Sequence, residues 1–189
     1  SDPRAHRREA RNDAPGEQLV LRRRVDDHVA VAGPQDGEVV NDLGLMGEEI
    51  GDVDARLPVL LEGALGAGKS VLARGIIQAA CPAEDDIPSP TFTLVQTYEP
   101  DALPPIMHFD LYRLETPEES LELGIEDAFI DAICLIEWPQ RLGAFLPRTA
   151  LTITLVDGVD ATSRVAQISG DARWQPVLDA LRTQMQDIT

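Results

Sequence analysis

Lysine is nearly absent from this 189-residue chain: Lys69 is the only one, and every other basic side chain is arginine. Positive charge is short altogether, with 16 basic residues against 33 acidic ones and a formal net charge of −17. A surface that acidic repels a bare phosphate backbone, which argues against autonomous nucleic-acid binding. Seven of the arginines lie within the first 24 residues, so the rest of the chain is more acidic still. Aromatic residues make up 4% of the chain, so its core is expected to be aliphatic. Cysteine occurs twice, at Cys81 and Cys134. Two isolated thiols build neither a disulfide framework nor a zinc site and fit a reduced, cytoplasmic protein. No apolar run approaches the roughly 18 residues of a membrane span, so no membrane association is expected. The charged N-terminal stretch is followed by no apolar segment, and no secretory signal is read there.

The length fits one domain. Residues 1–18 are polar, charged and broken by Pro3, Pro15 and Gly16, the pattern of a disordered tail. Residues 19–189 are expected to form a single domain. Leu19–Val31 reads as an edge strand, and Glu38–Ile50 as a helix with an apolar stripe. Leu57–Leu61 is a continuously apolar run, as in the centre of a parallel sheet, with Pro58 at its start. A helix is expected over Ser70–Ala80, and strands over Thr91–Tyr98, Ile106–Leu111 and Ile133–Ile136. Thr116-Pro-Glu-Glu119 opens a helix that Gly124 closes. Pro139–Phe145 reads as a short helix. Leu151–Val156 and Arg164–Ile168 read as a C-terminal antiparallel pair, and Trp174–Met185 as a closing helix. The alternation predicts a three-layer α/β/α domain of P-loop NTPase type, with a mixed, mainly parallel sheet.

The lone lysine sits inside Gly63-Ala64-Leu65-Gly66-Ala67-Gly68-Lys69-Ser70, which fits G-x-x-x-x-G-K-[ST] throughout. Glycines let the backbone approach phosphates closely, Lys69 is suited to reach the β and γ phosphates, and the Ser70 hydroxyl suits Mg²⁺. The following helix, which includes Val71, aims its positive end at the same anion. The loop follows an apolar strand and precedes a helix, the context this motif requires. Nucleoside triphosphate binding is the firmest functional expectation.

Two acids end apolar strands: Asp110 after Ile106–Phe109, and Glu137 after Ile133–Ile136. At the carboxyl ends of parallel strands, either acid can hold Mg²⁺ directly or through water, polarise an attacking water, or simply cap the next helix. Ser89-Pro-Thr91 is either a segment that offers Thr91 to the metal or an ordinary turn. His108 shares a strand face with Asp110 and is either an acid–base group or a hydrogen-bonded structural residue. Arg113 either pairs with Asp110 or senses phosphate. Trp138 is either beside the nucleotide or in the core.

Several P-loop classes are excluded. The base-reading N-K-x-D motif of GTPases needs a lysine this chain does not have to spare, and L-S-G-G-Q is absent. What remains is specific. Ser89-Pro-Thr-Phe-Thr-Leu-Val95, His108-Phe-Asp-Leu-Tyr-Arg113 and Ile136-Glu-Trp-Pro139, in order after the loop, strongly resemble the TsaE (YjeE) family over about residues 38–168.

That resemblance implies a bacterial ATPase of tRNA threonylcarbamoyladenosine biosynthesis. Family members work with TsaB and TsaD, which modify adenosine 37 of tRNA, so contact with tRNA is expected only through that complex. It implies ATP and Mg²⁺ as cofactors. It assigns phosphate and metal contacts to Lys69 and Ser70, a switch-like role to Thr91, functional acids to Asp110 and Glu137, and a nucleotide-site tryptophan to Trp138. Family loops usually read Gly-Asp-Leu-Gly-Ala-Gly-Lys-Thr; here Ala64 replaces the aspartate and Ser70 the threonine. The alternatives to a partner-dependent ATPase are a small-molecule kinase and a nucleotide-gated binding module. No arginine-bearing lid is visible between Lys69 and Asp110, where Arg74 is the one arginine.

Overall fold

A computed structural model describes residues 20–24, 28–32, 58–158 and 164–179. The tail at 1–18 and the helix expected over Glu38–Ile50 lie outside them. Two short strands, β1 (Val20–Arg24) and β2 (His28–Ala32), pair antiparallel as a separate two-stranded sheet. The single edge strand expected over Leu19–Val31 is therefore a hairpin.

The main sheet has six strands: β3 (Val59–Gly63), β4 (Val95–Tyr98), β5 (Ile106–Asp110), β6 (Ile133–Glu137), β7 (Leu151–Asp157) and β8 (Arg164–Ser169). Their order is β4-β5-β6-β3-β7-β8. The four central strands run parallel, and β4 and β8 close the edges antiparallel. The C-terminal pair is present as expected, with β7 also extending the parallel core.

Helix α1 (Lys69–Ala80) crosses one face of the sheet and buries Leu72, Ala73, Ile76 and Ile77. These positions recur once per helical turn and make one apolar stripe. They join Val59, Leu61, Ile106, Ile133 and Leu135 in one core, to which Trp174, Val177 and Leu178 add from the C-terminal end. Side chains of alternate parity build a second core on the opposite face: Leu60, Phe109, Cys134 and Ile136 pack with Ile125, Ala128 and Leu142. Each fully buried aliphatic side chain contributes about 1.5–3 kcal/mol.

The second face is covered by α2 (Glu119–Glu122), α3 (Ile125–Asp131) and a 3₁₀ helix (Pro139–Phe145). At Thr116 the capping expectation holds in its reciprocal half, since the Thr116 N–H donates to the Glu119 carboxylate at 3.1 Å. Gly124 has φ +74 and ends that turn, but α3 begins directly after it, a helix not read from the sequence. The strand expected from Thr91 starts only at Val95. Residues 90–94 form a turn in which the Leu94 N–H returns to the Pro90 carbonyl at 2.6 Å and Leu94 takes φ +67. No helix among the described residues is long and apolar enough to cross a membrane.

Candidate functional site

Register brings the polar residues to one edge. Leu61, Glu137 and Asp110 lie side by side on β3, β6 and β5, with β3 running two residues further to Gly63. The chain turns there at φ +142, and a Cβ on Gly63 would sit 2.6 Å from the Leu155 carbonyl oxygen, so only glycine fits. The Ala67 N–H closes the loop onto the Ala64 carbonyl at 3.1 Å, and Leu65 stands exposed at the tip. Gly66 and Gly68 also have positive φ, and Gly68 precedes the first turn of α1. The N–H groups of Lys69, Ser70 and Val71 have no intrahelical acceptor by the geometry of a helix start. They present unpaired donors at the positive end of the helix dipole, the arrangement that suits an anion.

Lys69 is 4% exposed. Its ammonium donates to the carbonyls of Gly63 and Ala64, each at 2.9 Å, and lies 3.9 Å from the centre of the Trp138 ring. The indole face suits a cation because of its quadrupole. Burial pushes the ammonium below the usual lysine range, while the charges of Glu137 and Asp110 pull it back up. Trp138 itself adopts a left-handed backbone, φ +59, and packs against Tyr112 with ring centres 4.9 Å apart. That backbone is uncommon for a bulky residue and costs on the order of 1 kcal/mol or more.

A continuous chain of hydrogen bonds joins the remaining groups. The Ser70 hydroxyl donates to Glu137 Oε2 at 3.0 Å, and Ser89 donates to Ser70 at 3.3 Å. Thr91 gives its proton to Asp110 Oδ2 at 2.9 Å, so the 2.8 Å contact between the Ser89 and Thr91 oxygens draws on the one Ser89 proton, which Ser70 and Thr91 share. Asp110 Oδ1 accepts the Tyr112 N–H at 3.1 Å, and Glu137 Oε1 lies 2.9 Å from His108 Nε2. Segment 89–91 is thus tied both to the phosphate loop and to the strand-end acid.

Every residue singled out at the loop and strand ends converges here, including Thr91 and Trp138. Arg113 does not: its guanidinium lies 5.8 Å from the centre of the exposed Phe92 ring. Glu137 accepts from Ser70 and not from the helix that follows it, whereas Asp110 accepts both from Thr91 and from the Tyr112 N–H of the next turn. Ser89 as a bridge to Ser70, and Tyr112 as a neighbour of Trp138, were not expected. The first needs the fold of segment 88–94 and the second the turn after β5, and neither leaves a periodic signal. Among the described residues no three His, Cys, Asp or Glu side chains converge as a metal cage. Mg²⁺ does not need one, because it commonly takes one or two carboxylates, hydroxyl oxygens and substrate phosphates. Ser70, Asp110 and Glu137 offer hard oxygen donors of that kind.

Comparison with known proteins agrees with the geometry. The family model "Threonylcarbamoyl adenosine biosynthesis protein TsaE" matches residues 38–165. A tRNA threonylcarbamoyladenosine biosynthesis protein TsaE from Rickettsia felis is 39% identical over 66% of this chain and 71% of its own length. The protein of that name from Nostoc sp. is 40% identical over 71% and 82%. The one from Rickettsia conorii is 42% identical over 58% of this chain and 62% of its own length, so that alignment spans under two thirds of the relative. A crystal structure of Bacillus subtilus YdiB shares the fold, with TM-score 0.58 and 23% identity over 89% of this chain and 97% of that one. With the family match covering most of the chain and the P-loop fold in place around it, this chain belongs to the TsaE family.

Proposed function

We propose that the chain is the ATP-binding and partner-dependent ATP-hydrolysing component of a bacterial tRNA threonylcarbamoyladenosine machinery. The observation that carries this reading is the single hydrogen-bonded network joining Ser70 of the phosphate loop to Glu137, Thr91 and Asp110 at the strand ends. Family membership supplies the pathway; the network supplies the chemistry.

In this reading Lys69 exchanges its two carbonyl acceptors for phosphate oxygens, and the N–H groups from Gly66 to Val71 cradle the same anion. Ser70, Asp110 and Glu137 would hold Mg²⁺, which would supply neutralisation of phosphate charge when bound. Glu137, whose two oxygens are already oriented by different donors, accepts a proton from or aligns the attacking water. Thr91 links segment 88–94 to Asp110 and Ser89 links it to Ser70, which would couple that segment to the occupancy of the site. Trp138 lines the cradle beneath Lys69.

Residues 19–189 act as one domain in the cytoplasm with TsaB- and TsaD-like partners. The net charge of −17 argues that tRNA is met only through them. The test is phosphate release from ATP, measured alone and with both partners. Partner stimulation is expected; phosphate appearing on a small acceptor, without stimulation, would replace this reading with that of a kinase. Lys69→Ala should weaken ATP binding by roughly tenfold to a hundredfold, the worth of a buried charge-assisted bond. Unchanged affinity in a fluorescent-nucleotide titration would refute the loop assignment.

A further inference from the structure

One buried polar side chain at the site has no task in the reading above. His108 is 1% exposed and Glu137 2%, and His108 Nε2 lies 2.9 Å from Glu137 Oε1. The other oxygen of Glu137 accepts from Ser70. The carboxylate is therefore gripped at both oxygens by donors on two different elements, β5 and α1.

The rest of the imidazole fixes how the grip works. Among the described residues His108 Nδ1 is buried and has no hydrogen-bond partner. A proton on Nδ1 would be a buried donor without an acceptor, which costs about 1–3 kcal/mol; a lone pair there costs less. The same proton on Nε2 has the Glu137 oxygen directly in front of it. Parity and register explain the placement: Ile106, His108 and Asp110 project from β5 toward α1, and Glu137 at the end of the neighbouring parallel strand β6 projects to the same side, within reach of His108.

We infer that His108 is a positioning residue for Glu137: protonated at Nε2, it donates to Oε1 and holds the carboxylate so that Oε2 faces Ser70 and the phosphate loop. The inference rests on the proposal that Glu137 takes part in hydrolysis. Without the imidazole donor, Oε1 would be left buried and unpaired, and rotation of the carboxylate toward another donor would take Oε2 off the Ser70 hydroxyl. Such a change strikes turnover, which depends on the direction of the carboxylate. It bears far less on nucleotide affinity, which rests chiefly on Lys69 and the loop N–H groups.

The experiment compares His108→Leu, which fills the space without a donor, with His108→Gln, whose amide nitrogen reaches where Nε2 stands. Partner-stimulated ATP turnover and the affinity for a fluorescent ATP analogue are measured on each. His108→Leu should lose about tenfold or more in turnover with affinity held within about twofold. His108→Gln should recover most of the rate. In the nucleotide-free wild-type protein, ¹⁵N NMR of the imidazole should place its proton on Nε2. Wild-type turnover in His108→Leu, equal loss in both variants, or an Nε2 that carries no proton overturns the inference. If His108→Leu does not fold, a folded but inactive His108→Gln overturns it, and a folded, active His108→Gln with the Nε2 proton supports it. Failure of the wild-type chain to bind the analogue sinks the proposed function instead, and the NMR measurement still decides where the proton lies.

Discussion

The two faces of β5 and β6 share a backbone but differ in chemistry. Toward α1, β5 presents Ile106, His108 and Asp110, and β6 presents Ile133, Leu135 and Glu137. Both series pass from apolar to polar on approaching the carboxyl edge. On the opposite face Phe109, Cys134 and Ile136 are fully buried in an apolar cluster with α3 and Leu142. A period of two is enough to put a polar network and a dry core within one residue of each other. The network's buried charges are unfavourable to fold unless each finds a partner, whereas the dry face is favourable by burial alone. Both sides hold apolar core, but at the carboxyl edge turnover should depend on the α1 side of these strands while the opposite side contributes to stability alone.

The sharpest test of that division is Glu137→Ala. It should cost roughly 10²–10⁴-fold in partner-stimulated ATP turnover, the range for a positioned acid–base group. ATP-analogue affinity should change far less, and a variant hydrolysing at the wild-type rate would remove Glu137 from the chemistry. Phe109→Ala is the converse, on the adjacent residue of β5's other face. Its ring is fully buried, so truncation should lower unfolding free energy by about 3–5 kcal/mol in urea titration. Nucleotide affinity of the fraction still folded should stay near wild type. Loss of affinity without loss of stability would show that the faces are not separable.

Cys134 gives the smallest and most specific effect. Burial pushes its thiol up from 9.0 to about 12. A group with a raised native value contributes stability in full below its unfolded value, and that contribution drains away as pH rises toward the native one. Cys134 should therefore make the wild-type chain lose stability between pH 9.0 and about 12, at up to roughly 1.4 kcal/mol per pH unit. Lys69, lowered by burial from 10.5, acts in the opposite direction only below about pH 10.5, in the lower part of that range. The difference between wild type and Cys134→Ala isolates the thiol. Identical pH slopes in the two proteins would show that Cys134 meets water in the folded state.

Much of this arrangement was legible before the fold was known, for a physical reason in each case. Phosphate geometry constrains Gly63, Gly68, Lys69 and Ser70 so tightly that they announce themselves in order. Asp110 and Glu137 stand out because a charge ending an apolar strand must face something. The unreadable parts depend on pairing or on backbone exceptions. His108 meets Glu137 only because β5 and β6 align in parallel, 29 residues apart in sequence. The strand expected from Thr91 failed because Leu94 takes a left-handed backbone, which its side chain does not advertise. Helix α3 is seven residues long, too short for its Ile125 and Ala128 spacing to stand out from the apolar strand that follows.

Lys69 rests on the carbonyl oxygens of positions 63 and 64, and the Ala64 side chain points into solvent. A carbonyl belongs to the peptide unit and is the same for every amino acid. The resting place of the only lysine is thus written in a part of the molecule that side-chain replacement at position 64 cannot edit. Drift at that position, aspartate in the usual family loop and alanine here, leaves the lysine's dock intact while altering only the charge that an arriving anion meets.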